Sequence, residues 1–359
     1  MLIAAHNASP VVGGGEIWLQ RLLDGFQKRG HRCLTFCASE NVSLLMSEGG
    51  IESRLIRLGG DAMLPNAFSL ARQLKTESPD ALLLTTFKKF WLGGMAGRIA
   101  RVPRIIGRVA VSSHRAKNFT YTIPIRNFLH AVVANANGVR EPLAHSVDEV
   151  SASKIITVYD GVPAPTPKTS RVDHRASLGI PADAPLIGSV GRLSPQKRFD
   201  RLVHAFALLR SDAHLLVLGE GPERASLEQL STSLGLSDRA HFPGHSTDVA
   251  DALNALDVFV VSSDFEGLSN AMLEAMALGV PVISTPVSGA IDALEALPDG
   301  ASPGIITDPD AQSLAGAMTR LMSDSAERER IAAAGLRRIR ERFGFDRMLD
   351  EWEALCRSA

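Results

Sequence analysis

The chain has 359 residues, 45% of them hydrophobic and 21% charged, with a formal net charge of −1. That length exceeds the reach of one hydrophobic core, so two domains of about 150–200 residues are expected, and the lack of low-complexity tracts excludes disordered and fibrous classes. No run reaches the roughly 18 apolar residues of a membrane span, and three scattered cysteines, Cys33, Cys37 and Cys356, suit neither a disulfide framework nor a zinc site but fit a reducing cytoplasm.

The opening MLIAAHNASP lacks a basic flank and a long apolar stretch, so it reads as a first strand rather than a signal peptide. Gly13-Gly14-Gly15-Glu16 follows and leads into the helical pattern GEIWLQRLLDGFQKRG. Glycines at such a junction let backbone N–H groups approach an anion beside a helix N-terminus, although the triplet alone is equally a tight turn. Short apolar runs then alternate with amphipathic stretches: CLTFCA, ALLLTT, RIIGRVAV, AVVANA, KIITVY. That rhythm predicts parallel strands joined by crossover helices.

No acidic residue stands between Asp80 and Glu141, a stretch that carries ten lysines and arginines together with Phe87, Phe90, Trp91, Phe119 and Tyr121. A one-signed field of this kind attracts anions. Residues 87–126 are expected either to touch an anionic membrane peripherally or to form a solvated crossover helix with core aromatics. No nucleic-acid recognition motif accompanies the basic residues, and nucleic acid is not an expected partner.

Pro163, Pro165 and Pro167 mark an extended linker. The expected division is an N-terminal Rossmann-like domain over 1–163, a C-terminal Rossmann-like domain over 164–345, and a helix over 346–359 that packs back on the first. The first part holds 19 Lys+Arg against 12 Asp+Glu, the remainder 19 against 27. The second part repeats the rhythm with APLIGSVGRL, HLLVLGEG, AHFPGH, VFVVSS, VPVIST and PGIITD. The closing FDRMLDEWEALCRS is amphipathic and comes after the second sheet is complete.

In open α/β sheets ligands bind beyond the carboxyl ends of the strands. Gly191-Arg192 stands at such an end and Lys197 opens the next helix, where a planar guanidinium and a point-charge ammonium together suit a diphosphate. In DFEGLSNAMLEAMALGVP, residues 264–281, a strand passes through a turn into a helix closed by Gly279. Glu266 faces the sheet edge, and the backbone N–H groups of Leu268 and Ser269 lie at the helix start, where phosphate oxygens bind. Glu274 falls among Met272, Leu273, Ala275 and Met276, where a carboxylate needs donors, and vicinal ribose hydroxyls supply two. A helix cap at Glu266 and a structural ion pair at Glu274 are the alternatives.

Together these residues resemble the retaining glycosyltransferases of family 4, which have the GT-B fold. The E-x7-E motif is Glu266 to Glu274, and GRLSPQK, LGEGPER, FPGH, the Asp-Gly-Val turn at 160–162 and GGGE near the N-terminus also match. The resemblance covers nearly the whole chain and implies a metal-independent, retaining hexosyltransferase. Arg192, Lys197 and Gly191 would hold the donor diphosphate with Gly244, Gly267, Leu268 and Ser269. Glu274 would hold the ribose, Glu266 the donor sugar, and Gly14 and Gly15 the phosphates. A histidine expected in the N-terminal domain is best matched by His114, with Arg108 as the alternative.

No cofactor is implied beyond a nucleotide-sugar donor, and UDP is taken on frequency alone. The acceptor would be a glycan or glycolipid hydroxyl in envelope polysaccharide or lipopolysaccharide synthesis, in the cytoplasm or at the inner membrane face. Two turns depart from the family pattern: Asp160-Gly161-Val162-Pro163, and Ser288-Gly289-Ala290-Ile291-Asp292. A nucleotide-sugar epimerase and a non-catalytic binding subunit are the alternative readings. An NAD-dependent oxidoreductase is disfavoured, because the first loop lacks the GxGxxG fingerprint and its distal acid.

Overall fold

The computed structural model describes residues 1–56, 63–111, 119–209, 211–246 and 248–357. It divides into two compact units, Met1–Asp160 with Asp346–Ala359, and Gly161–Phe345. The first unit thus closes three residues earlier than the proline-rich boundary read from the sequence.

The first unit holds seven parallel strands: β1 Leu2–Asn7, β2 Arg32–Cys37, β3 Glu52–Leu55, β4 Ala81–Leu84, β5 Arg104–Val109, β6 Ala131–Ala134 and β7 Ile155–Thr157. Their order is β3-β2-β1-β4-β5-β6-β7. Ile3 stands in register with Cys33 on one side and Ala81 on the other. Strands covered on both faces bury nearly every side chain, which is why they read as unbroken apolar runs. Helices Met63–Glu77, Phe90–Ala100, Phe119–Asn127 and Asn137–His145 contribute Leu70, Leu74, Phe90, Ile125 and Val139 to one core cluster with the sheet.

The closing helix, Phe345–Arg357, packs against the first helix, Gly14–Lys28. The rings of Trp18 and Trp352 lie 5.3 Å apart at 56°, and Trp18 Nε1 donates to Met348 Sδ at 3.3 Å. Arg29 donates to Asp350 at 2.7 Å and Glu353 at 3.1 Å, and His31 Nε2 meets Glu353 Oε1 at 3.0 Å.

The second unit has six parallel strands: β8 Leu186–Val190, β9 His214–Leu218, β10 Ala240–Gly244, β11 Val258–Val261, β12 Val282–Ser284 and β13 Ile305–Ile306. Their order is β10-β9-β8-β11-β12-β13. Each sheet therefore reverses direction once, between β1 and β4 in the first unit and between β8 and β11 in the second. Such a reversal opens a crevice at the carboxyl edge, because the connections leave to opposite sides. Both units are Rossmann-like α/β folds.

Several aromatics of the basic stretch turn inward. Phe87 stacks on Tyr121 with centroids 4.1 Å apart and meets the buried Phe90 edge-on at 5.1 Å, while Trp91 meets Phe128 edge-on. These rings are packing residues. Among the described residues no helix is long and apolar enough to cross a membrane.

Candidate functional site

In the second unit the loops after β8 and β11 carry the two residues on which the sequence reading leans most. After β8, Gly191 and the exposed Arg192 lead into a 3-10 turn, Pro195–Lys197, that delivers Lys197. After β11, Ser262 to Ser269 lead into the helix Asn270–Ala277. The Lys197 ammonium forms an ion pair with Glu266, whose other carboxylate oxygen accepts a hydrogen bond from Ser263 Oγ at 3.1 Å. The side chains are only 19% and 13% exposed, so the pair is largely withdrawn from water yet still reachable. Beneath it lies a small pocket lined by Ser189, Phe199, Ser262 and Ser269.

The two loops are tied directly to each other. Asp264 N donates to Gln196 O at 3.0 Å, Gln196 Nε2 to Phe265 O at 2.7 Å, and Ser262 Oγ to Lys197 O at 2.9 Å. The buried Arg201 donates to Ser262 O at 2.8 Å and to Asp264 Oδ1 at 2.5 Å, and Arg198 reaches the same carboxylate at 3.2 Å. Arg198 takes φ +50°, a left-handed conformation costly for a residue with a Cβ. Its guanidinium also bonds Asp200 at 3.0 Å. None of Arg198, Arg201, Asp264 and Ser263 was singled out from the sequence, where Arg198 and Arg201 stand 66 and 63 positions from Asp264.

The remaining predicted residues of this unit fall at the same sheet edge or on the helix behind it. Gly191 N bonds Leu218 O at 3.0 Å, and a Cβ on neighbouring Gly219 would lie 1.9 Å from Gly191 O, so the edge demands glycine there. Gly244 ends β10 at φ +89°. Gly267 and Leu268 are buried, and Ser269 caps the helix, its Oγ accepting from Met272 N at 3.4 Å. Glu274 lies on that helix at 8% exposure. Gly279 follows the helix at φ +73°, with its N–H bonded to Met276 O at 3.1 Å, as the sequence predicts. Arg192 makes no hydrogen bond or ion pair among the described residues, which leaves its guanidinium available.

In the first unit, Gly14 and Gly15 open the first helix behind an extended Gly13. A Cβ on Gly15 would meet nothing within 4 Å, so no neighbour in the fold requires a glycine there. Beside this loop, at the ends of β1 and β4, sits a polar set the sequence did not reveal. Asn7 Nδ2 donates to Glu16 Oε1 at 3.2 Å and Thr85 Oγ1 at 3.0 Å, and Ala8 N donates to Thr86 Oγ1 at 3.0 Å. Burial first, then the Lys89 charge, brings neighbouring His6 down to about 4, so its imidazole is neutral at physiological pH.

His114 lies outside the described residues. Arg108, its alternative, requires correction: it is buried, with its guanidinium 3.7 Å over the Trp18 ring and paired to Asp160 Oδ2 at 2.6 Å. Asn135 Nδ2 donates to the same oxygen at 3.0 Å. Arg108 thus belongs to the packing that joins β5, the β6 and β7 ends and the first helix. Among the described residues no three His, Cys, Asp or Glu side chains converge as a metal set.

Comparison with known proteins follows the division at the linker. Residues 12–164 match the Glycosyltransferase Family 4 profile, and residues 170–338 match that of Glycosyl transferases group 1. Among curated relatives, the lipopolysaccharide core biosynthesis glycosyltransferases LpsE and LpsD of Rhizobium meliloti (strain 1021) are 34% and 35% identical. These matches span 63% and 50% of this chain, and 64% and 51% of the relatives' own length. Thus the chain spans about half to two thirds of the length of the curated relatives it matches. Among solved structures, Anabaena Alr3699/HepE in complex with UDP and glucose superposes with a TM-score of 0.85 at 21% identity, covering 98% of both chains. A glycosyltransferase from Rickettsia africae ESF-5 gives 0.86 at 17% identity over 100% and 99%. These two establish the GT-B fold.

Proposed function

The chain belongs to the glycosyltransferases, family 4 in its first half and group 1 in its second, and from that membership we propose that it transfers a hexose-type sugar from a UDP-sugar to a hydroxyl of a glycan or glycolipid. The reading further includes retention at the anomeric carbon, no metal requirement, and a place in envelope polysaccharide or lipopolysaccharide synthesis at the cytoplasmic membrane face. UDP draws support from the ligand named with the HepE structure, and the envelope role from the names of LpsE and LpsD. The observation that carries the proposal is the Lys197–Glu266 pair at the reversal point of the second sheet.

In this reading the donor diphosphate lies against Lys197 and Arg192, and Glu266, released from Lys197, accepts hydrogen bonds from the donor sugar. Glu274 accepts from the ribose hydroxyls, and Gly14 and Gly15 give the phosphates a close backbone approach. The anomeric C–O bond to phosphate breaks while the acceptor oxygen bonds the same face of that carbon. The departing diphosphate takes the acceptor proton. Charge grows on the diphosphate as it leaves, so fixed cations in a water-poor site lower the barrier most. Removing one such stabiliser typically costs about 10²–10³ in turnover.

Two measurements test this. UDP at about 100 times its dissociation constant adds roughly 2.7 kcal/mol to folding, so it should raise the melting temperature of the parent, and more than GDP, ADP or NAD does. The Glu274→Ala variant should lose that response. With a donor identified in this way, Arg192→Ala should keep the parent's melt without ligand, Lys197→Ala should lower it by leaving Glu266 unpaired, and each should lose about 10²–10³ in kcat. An Arg192→Ala enzyme with an unchanged rate removes Arg192 from the mechanism. A melt that responds only to NAD overturns the donor site.

A further inference from the structure

The helix Met63–Glu77 carries Leu64, Phe68, Arg72 and Lys75 at spacings of four, four and three, which aligns them along one helix face. All four are exposed, and the two apolar side chains strongly so: Leu64 is 54% and Phe68 59% accessible. Beside them runs a groove of about 410 Å³ against the helix Phe90–Ala100, lined by Phe68, Ala71, Arg72, Lys75, Thr76 and Ile99. That second helix ends in exposed Arg98 and Arg101.

We propose that this two-helix face docks on an anionic lipid bilayer. Leu64 and Phe68 enter the boundary between headgroups and acyl chains, and Arg72, Lys75, Arg98 and Arg101 meet the lipid phosphates. The inference rests on the reading of an envelope glycosyltransferase and deepens it, by joining the end of the helix Phe90–Ala100, within residues 87–126, to the helix Met63–Glu77, whose Leu64 and Phe68 point outward.

Charge complementarity selects the occupant. Arg72, Lys75 and Arg101 make no ion pair among the described residues, whereas exposed Arg320 is matched by Glu327 and exposed Arg337 by Asp299. The acid nearest in sequence, Glu77, is held by Arg32 at 3.1 Å and Arg54 at 2.6 Å. The groove's cations therefore keep their field, which a negatively charged leaflet attracts within a Debye length. A second copy meeting this face through its own would set cation against cation, which disfavours a symmetric dimer. An apolar edge beside a cationic stripe is also the arrangement that holds interfacial helices at a membrane surface.

The test is sedimentation of the full chain with vesicles of phosphatidylcholine alone and with about 30% phosphatidylglycerol, at low salt and at about 1 M, where the Debye length falls to about 3 Å. The parent should sediment only with the anionic vesicles, and high salt should release it. Near such a surface each Lys or Arg is worth about fivefold in affinity, so the double variant Arg72→Glu, Lys75→Glu should bind more than tenfold more weakly. Phe68→Ser should also bind more weakly. Both variants alter exposed side chains that are not among the donor residues and should keep the parent's melting temperature and UDP response.

Unchanged vesicle binding in these variants overturns the proposal. So does equal binding to neutral vesicles, or a loss confined to Lys88→Glu, Lys89→Glu. A parent that ignores vesicles yet responds to UDP overturns the docking face and leaves the donor reading intact. Vesicle binding without a UDP response does the reverse. Light scattering that shows a dimer abolished by Phe68→Ser would assign the face to a second copy instead.

Discussion

Gly289 shows how a turn that departs from a family pattern, at Ser288 and Asp292, can keep the glycine on which its geometry depends. A Cβ there would fall 2.1 Å from Gly267 O and 2.5 Å from Leu268 Cα, both backbone atoms with little freedom to withdraw. Gly289 N also donates to Gly267 O at 3.1 Å, so the start of the helix Ser288–Leu294 supports the turn that follows Glu266. Gly289→Ala should therefore cost about 1–3 kcal/mol in urea unfolding and reduce the stabilisation by UDP. An unchanged midpoint would mean that the turn yields without strain. At this scale the placement of Lys197 and Glu266 in loops at the carboxyl ends of strands was legible, because strand ends and turn residues mark those loops. The Arg198–Asp264–Arg201 clamp was not, since nothing local marks a partner that lies beside the neighbouring strand but 66 or 63 residues away in sequence. Arg108 was misread for a related reason: a basic residue at a strand end looks the same in sequence whether it faces solvent or lies over a tryptophan ring.

Elements were legible in proportion to how completely they are buried. Strands such as β1, β4 and β6, covered on both faces, announce themselves as apolar runs. β3, with the sequence ESRL at the sheet edge and no fully buried side chain, carries no such signal and was missed. The closing helix was legible as an amphipathic segment, but its electrostatic fastening was not. Burial opposes ionisation of Glu353, yet hydrogen bonds from His31, Arg29 and Arg357 outweigh it and bring the carboxyl from its ordinary 4.5 down to about 2. A carboxylate depressed on folding stabilises fully above its unfolded pKa, and that contribution is lost as pH falls from about 4.5 through about 2. Unfolding free energy should therefore drop over that window in the parent. In Glu353→Gln the slope should be shallower and stability at pH 7 lower. Parallel pH profiles for the two proteins would remove Glu353 from the fastening.

At the scale of the whole molecule, the chain leaves the first unit at Asp160 and returns to it at Asp346, so one folding unit is built from two separated pieces of sequence. The returning piece buries Met348, Leu349, Trp352 and Cys356, and losing even one such tryptophan contact typically costs about 3–5 kcal/mol. A domain's whole stability is about 5–15 kcal/mol, so a chain ended after Phe345 should leave the first unit close to unfolding. The second unit loses none of its own residues in that truncation. Calorimetry should then show one transition lowered or absent, while the other keeps its temperature and its shift with UDP, because the Lys197–Glu266 pair and its clamp all belong to the second unit. If both transitions fall together, the units unfold as one cooperative block and the helix stabilises more than the unit it packs on. If neither falls, the Trp18–Trp352 contact contributes little, and the fastening by Arg29 and His31 would have to be sought in function rather than in stability.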